Sequence, residues 1–126
     1  MRAIQTHRCM GVPGIDDLIT VVAVDNPGSG GACHEYKVTA SHGLDTIPCD
    51  TVEIGFQDGP LDKFPNGITC ESLLAVVIDR LEGFQSGPFP CLENAFALNT
   101  ARRCLGWLHA RTRNRVVRGV EGTEQP

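Results

Sequence analysis

The chain has 126 residues, of which 41% are apolar and 21% charged, and a net charge of −4. That length supports one domain with a modest core, and the acidic balance excludes a global basic field of the kind nucleic-acid binders carry. No apolar run approaches the roughly 20 residues of a membrane span, and "MRAIQTHRCMGVPG" lacks the continuous apolar segment of a signal peptide, so an intracellular protein is expected.

Residues 1–17 are ambiguous and read as a short edge strand with a turn at Val12-Pro13-Gly14. Short β-prone runs follow at "LITVVAV" (18–24), "EYKVTA" (35–40) and "TVEIGF" (51–56), each bounded by Gly, Pro, Asn or Asp. "DNPGSGGAC" between the first two reads as a loop or wide hairpin connection. A small antiparallel sheet over about 18–57 is expected.

After residue 65 the period becomes helical. Thr69 is the expected N-cap, with Ile68 and Leu73 spaced as a hydrophobic staple, and Leu74, Val77, Ile78 and Leu81 recur at helical intervals. "EGFQSGPFP" then breaks the helix. A second helix is expected from Pro90, a residue suited to the first helical position, with no breaker until Gly119. At 1.5 Å per residue, roughly 28 residues would make it about 42 Å long. The expected fold class is α+β: one domain, with a β-rich part (1–62) followed by an antiparallel two-helix hairpin part (63–126; helices about 69–83 and 90–118). A hairpin whose longer helix outruns its partner leaves an uncovered face, which predicts self-association.

Six cysteines (Cys9, Cys33, Cys49, Cys70, Cys91, Cys104) form no C-x-x-C pair, and Cys70, Cys91 and Cys104 fall within expected helices. Free thiols behaving as small hydrophobes are expected rather than disulfides. Cys33 and His34 have no zinc-ligand spacing behind them, so no metal and no cofactor are expected. Gly28, Gly30 and Gly31 lack the G-K-[ST] and following helix of a phosphate loop, and a flexible hairpin loop is the simpler reading. His7, His34, His42 and His109 are scattered, and no catalytic motif is present, so an enzyme is not expected.

Six of the 11 Lys and Arg residues lie between Arg102 and Arg118. On a helical wheel at about 100° per residue, Arg115 lies about 40°, Arg118 about −20° and Trp107 about −40° from Arg111. Leu98, Leu105 and Val116 cluster on a separate core stripe, flanked by Ala101 and Leu108. Arg102 and Arg113 point elsewhere and read as solvated. Cations at a helix C-terminus followed by glycine are expected for capping alone. Three aligned arginines nevertheless repel one another unless an anion or an acidic partner stands between them. Phosphate oxygens suit guanidinium forks, and an acidic surface of another subunit is the competing partner.

The stretches "GGACHEY" (30–36), "FQDGP" (56–60), "NGIT" (66–69), "ESLLAVVIDRLEGFQSGPF" (71–89), "ENAFAL" (93–98) and "WLHARTRNRVVRGVEGT" (107–123) together resemble the phage Thoeris anti-defence proteins of the first type. The helical half is similar to the anti-CBASS sponges of the second type. The resemblance implies a non-enzymatic sponge in the cytoplasm of the infected bacterial host. Such a protein binds cyclised ADP-ribose isomers without degrading them, and in some members holds cyclic oligonucleotides at a separate site. It also implies homo-oligomers, either dimers or hexamers built as trimers of dimers. Carried over residue by residue, Phe84 is placed to stack on adenine, Asn94 to hydrogen-bond base or ribose, and Arg111, Arg115 and Arg118 with Gly119 to meet pyrophosphate. Gly30, Gly31 and His34 are the candidates for the second nucleotide site, although this chain departs from the usual loop pattern at Cys33 and at Phe64-Pro65. Two other readings remain: a nucleic-acid module using the basic helix, and a structural phage protein whose arginines join subunits.

Overall fold

The computed structural model describes residues 1–9, 15–41, 48–60, 64–123 and 125–126. The expected turn at Val12-Pro13-Gly14, His42, the side chain of Cys49 and the expected division between residues 62 and 63 lie outside the described residues. One domain in two parts was expected; the chain divides into two compact units, Met1–Gly59 with Phe64–Gly67, and a second that includes Ile68–Pro126.

The first unit is a four-stranded antiparallel meander, β1 (Arg2–Ile4), β2 (Ile19–Ala23), β3 (Glu35–Ser41) and β4 (Pro48–Gly55), in the order β1-β2-β3-β4. A four-residue helix, α1 (Ile15–Leu18), leads directly into β2. The alternation of side chains across a strand sorts the residues onto two faces. Ile19, Val21 and Ala23 pair in register with Ala40, Val38 and Tyr36, and Tyr36 and Val38 pair with Ile54 and Val52, so one face is apolar. Thr20, Lys37, Thr39, Thr51 and Glu53 lie on the other, where Lys37 and Glu53 approach to 3.8 Å. The Tyr36 ring meets Phe56 edge-on at 5.6 Å, an arrangement favoured by the aromatic quadrupole.

Two of the motifs in the resemblance are joined here by hydrogen bonds. The Asp58 N–H donates to Asn66 Oδ1 (2.8 Å), the Asn66 N–H to Gln57 Oε1 (2.9 Å), and Asn66 Nδ2 to the Asp58 carbonyl (2.8 Å). This tie draws Gly67 against the end of β4. A Cβ added there would overlap the Phe56 carbonyl group and lie 2.6 Å from the Gly55 oxygen.

The second unit is a hairpin of α2 (Cys70–Ser86) and α3 (Leu92–Val117), so the α+β class is as expected. Thr69 caps α2: its side chain accepts from the Ser72 N–H while Ser72 Oγ accepts from the Thr69 N–H, both at 3.1 Å. The helix runs through Ser86, three residues beyond the expected end, because Ser86 Oγ back-bonds to the Glu82 carbonyl (2.9 Å) and the Gly87 N–H closes on Phe84. At the start of α3 the expectation is corrected. Pro90 lies outside the helix, and Cys91, expected inside it, is the N-cap, its sulfur accepting from the Asn94 N–H at 3.4 Å. Cys33, Cys70, Cys91 and Cys104 are free thiols.

The seam between the helices has heptad spacing. In α2, Glu71, Leu74, Ile78, Leu81 and Gln85 are half-buried; in α3, Asn94, Leu98, Ala101, Leu105, Leu108, Thr112 and Arg115 are half-buried or buried. Steps of three and four residues keep one stripe facing the partner, whereas an ideal wheel drifts about 20° per heptad. This corrects the expected core stripe. Arg115 stands on the seam, and Val116, expected in the core, is 59% exposed. Within the described hairpin only Leu98 and Arg115 are buried.

Gly67→Ala is expected to destabilise the protein by about 1–3 kcal/mol through overpacking against backbone that cannot yield. Urea unfolding followed by the near-ultraviolet signal of Tyr36, the sole tyrosine, measures it; an unchanged midpoint would show that Gly67 is not confined.

Candidate functional site

The end of α3 is built around Arg115. Arg118 is the C-cap, and Gly119 follows at φ +74°, a left-handed conformation that costs glycine little. The Val120 N–H donates to the Arg115 carbonyl and the Gly119 N–H to that of Val116, both at 3.0 Å, a Schellman closure. A second left-handed glycine, Gly122 at φ +80°, turns the chain back. The backbone carbonyls of the returning segment then surround the guanidinium. Arg115 Nη2 donates to the Val120 (2.9 Å) and Thr123 (3.0 Å) carbonyls, Nη1 to Gln125 (2.6 Å), and Nε to the Glu121 carboxylate (3.1 Å). A buried charge is tolerated when paired and hydrogen-bonded in this way. An acidic partner within the chain is thus found for Arg115.

The same end of the hairpin carries a cavity of about 480 Å³, lined by Thr69, Glu71, His109, Arg111, Thr112, Arg113 and Glu121. Arg111 and Arg113 have no hydrogen bond or ion pair among the described residues. They can therefore present guanidinium donors to an anion without first breaking an internal contact. Glu71 at the start of α2 and Glu121 in the returning segment bring acceptors for hydroxyl groups to the same cavity. Among the described residues no group of three His, Cys, Asp or Glu side chains is placed to hold a metal ion.

The expected ligand residues separate into two groups. Phe84 and Asn94 flank the turn of the hairpin; Phe84 is half exposed with the Arg80 guanidinium 5.3 Å from its ring centre, a cation–π distance. Arg111, Arg118 and Gly119 lie at the opposite end. Seventeen residues of helix between Asn94 and Arg111 span roughly 25 Å. Arg118 is exposed but occupied, its Nε donating to Asn114 Oδ1 and its Nη1 to the Pro126 oxygen, both at 2.8 Å. Trp107 is 75% exposed. Arg102 and Arg113 are exposed, as expected; Arg113 also lines the cavity, and Arg102 pairs with Glu82 at 2.9 Å. Sequence reasoning missed Thr69, Glu71, His109, Thr112, Arg113 and Glu121 as neighbours. Only the C-terminal glycines hinted that the chain would return to the helix.

The Gly30–Gly31 loop is held by Asp25. Its carboxylate accepts from the backbone N–H of His34 (2.9 Å) and of Glu35 (3.1 Å). The bond from His34 is the main cause that holds Asp25 below the usual carboxylate range. His34 is buried, and its Nε2 lies 3.0 Å from the Ser29 carbonyl and 3.3 Å from the Asp58 carboxylate. Because a carbonyl only accepts, Nε2 carries the proton and is engaged within the loop. Gly30 and Gly31 are exposed with φ of +73° and +85°, and the Gly31 N–H already donates to Gly28. The loop's free offering to an anion is thus small, and the Asp58 carboxylate stands beside it.

Residues 50–113, half of the chain, match the hairpin domain of the Acb2/Tad1 family, and the chain belongs to that family. The chain is also 45% identical over 73 residues to Thoeris anti-defense 1 of Bacillus phage SBSphiJ7, covering 57% of this chain and 51% of that protein. The match thus spans about half the length of this curated relative. The matched hairpin contains Phe84, Asn94, Arg111 and Arg113, while Arg115, Arg118 and Gly119 follow it.

Because its carboxyl is held low when folded, Asp25 stabilises the sheet unit above its unfolded value, about 3.9. That contribution is lost as pH falls through the lower folded value. Asp25→Asn should therefore flatten the acid limb of stability against pH, measured by urea unfolding between pH 5.5 and 2.5. Identical slopes in both proteins would contradict the hold of the Asp25 carboxylate on the His34 and Glu35 N–H groups.

Proposed function

We propose that this protein is a phage anti-defence sponge that binds a cyclised ADP-ribose signal in the infected host and holds it without breaking a bond. The observation that carries this reading is the pair of arginines, Arg111 and Arg113, which are unengaged among the described residues and line an open cavity of the hairpin unit. The name of the phage relative supports the anti-defence role. In this reading Arg111 meets the pyrophosphate, Phe84 stacks on the adenine and Asn94 hydrogen-bonds the base or ribose. Helix length keeps these groups at opposite ends of one hairpin, so one ligand meets both only where a second copy supplies one end. The apolar side chains exposed on the hairpin, among them Phe89, Leu92, Phe96 and Trp107, favour such pairing. Arg115 is given no ligand contact, because its donors are spent on the chain itself. Cyclic oligonucleotides are not proposed as ligands, since His34 is engaged within its loop.

The experiment is depletion and release. Protein incubated with cyclised ADP-ribose and filtered should leave the filtrate empty, and heat should return the nucleotide with its mass unchanged. A degraded product, or no depletion, would overturn the reading. Arg111→Ala should weaken binding by about 1.5–3 kcal/mol, roughly 10- to 150-fold in Kd, through loss of charge-assisted hydrogen bonds. Calorimetric titration measures this, and an unchanged Kd removes Arg111 from the site.

A further inference from the structure

We propose that Arg115 is a positioning residue, which ties the returning residues Gly119–Thr123 down as a wall of the anion cavity without touching the ligand. The inference rests on the cavity of the proposed function but concerns how that cavity is made. Three observations carry it. Arg115 is only 8% exposed, and four of its guanidinium bonds end on the returning segment, at Val120, Glu121, Thr123 and Gln125. Glu121 both accepts from Arg115 and lines the cavity with Arg111 and Arg113. The segment also turns tightly: Gly119 and Gly122 are left-handed, and the Thr123 hydroxyl closes on the Val120 carbonyl.

The charge arrangement explains why such a tie is useful. An unrestrained Glu121 beside Arg111 and Arg113 would pair with them and compete with a ligand anion. Bound to Arg115, its carboxylate is partly neutralised and held in one place, leaving the two cavity arginines unengaged. Its remaining lone pairs can then accept from a hydroxyl of the ligand, as carboxylates do from ribose. A wall fixed in advance also lowers the entropy lost on binding. The sponge thus gains an acceptor and keeps its donors from a single buried cation.

The test joins exchange and affinity on the full chain, with cyclised ADP-ribose and inorganic pyrophosphate as separate probes. Ligand should slow amide hydrogen exchange across residues 119–123 in the wild type, because coupling between ligand and wall is reciprocal. Arg115→Ala should speed exchange there and weaken binding about tenfold or more, while circular dichroism confirms that the helices persist. Glu121→Gln keeps the wall in place while weakening its tie. In a double-mutant cycle the Arg115→Ala and Glu121→Gln effects on binding should be strongly non-additive, because one acts through the other. Additive effects, or ligand protection absent from residues 119–123, would overturn the proposal. Should Arg115→Ala fail to fold, Arg115→Lys serves in its place, since an ammonium cannot span four acceptors. Binding of pyrophosphate with wall protection, but no binding of the nucleotide, would sink the sponge reading and leave the wall standing. No binding of either probe overturns both.

Discussion

The grip of one guanidinium on its own chain sets the chemistry of the hairpin's open end. Arg115 stands where a heptad seam calls for an apolar side chain, and burying its charge requires acceptors on nearly every side. The chain supplies them by ending α3 at a left-handed glycine and turning back within six residues, so that three carbonyls and one carboxylate converge. Were the guanidinium removed, the Thr123 and Gln125 carbonyls and the Glu121 carboxylate would lose this partner, while the Val120 carbonyl would keep its bonds from Thr123. Arg115 therefore contributes to this end of the fold in the manner of a bound ion, not as part of a surface stripe.

The neighbouring arginines owe their availability to that arrangement. Among the described residues Glu121 pairs with Arg115 rather than with Arg111 or Arg113, and Arg118 is taken up by Asn114 and the Pro126 oxygen. What remains is a cavity in which two guanidinium groups, unengaged among the described residues, stand beside carboxylate acceptors. Such a mixture suits a ligand carrying both phosphate and hydroxyl groups better than a simple polyanion, which the carboxylates would repel. The hairpin itself buries little: its seam is half-covered and its aromatic residues face outward, a surface that a second copy of the chain would cover.

The architecture was legible because its signals are local. Alternating β-branched runs, a threonine N-cap with its hydrophobic staple and a glycine at the helix end each specify their element within a few residues. The hairpin motifs were likewise specific enough to indicate the family. The role of Arg115 was hidden because a wheel drawn at 100° per residue treats α3 as an isolated helix. Packing against α2 keeps a 3.5-residue seam, which turns Arg115 inward and Val116 outward. Nor could the sequence show that the carbonyls of Val120, Thr123 and Gln125 would close on a residue up to ten positions earlier. That the exposed Arg113 lines a cavity was hidden for the related reason that a wheel carries no information about α2, whose start brings Thr69 and Glu71 to the same place. Cys91 was placed inside a helix because Pro90 is a common first helical residue, whereas the thiol itself provides the cap.

Native mass spectrometry of the full chain with cyclised ADP-ribose tests the central claim most directly, since it reads stoichiometry and ligand mass together. The expected species is a dimer, or a multiple of one, that carries the nucleotide at its unaltered mass and carries less of it when Arg111 is replaced by alanine. A ligand held by the monomer, a bound species of altered mass, or an oligomer that takes up no nucleotide would contradict that claim.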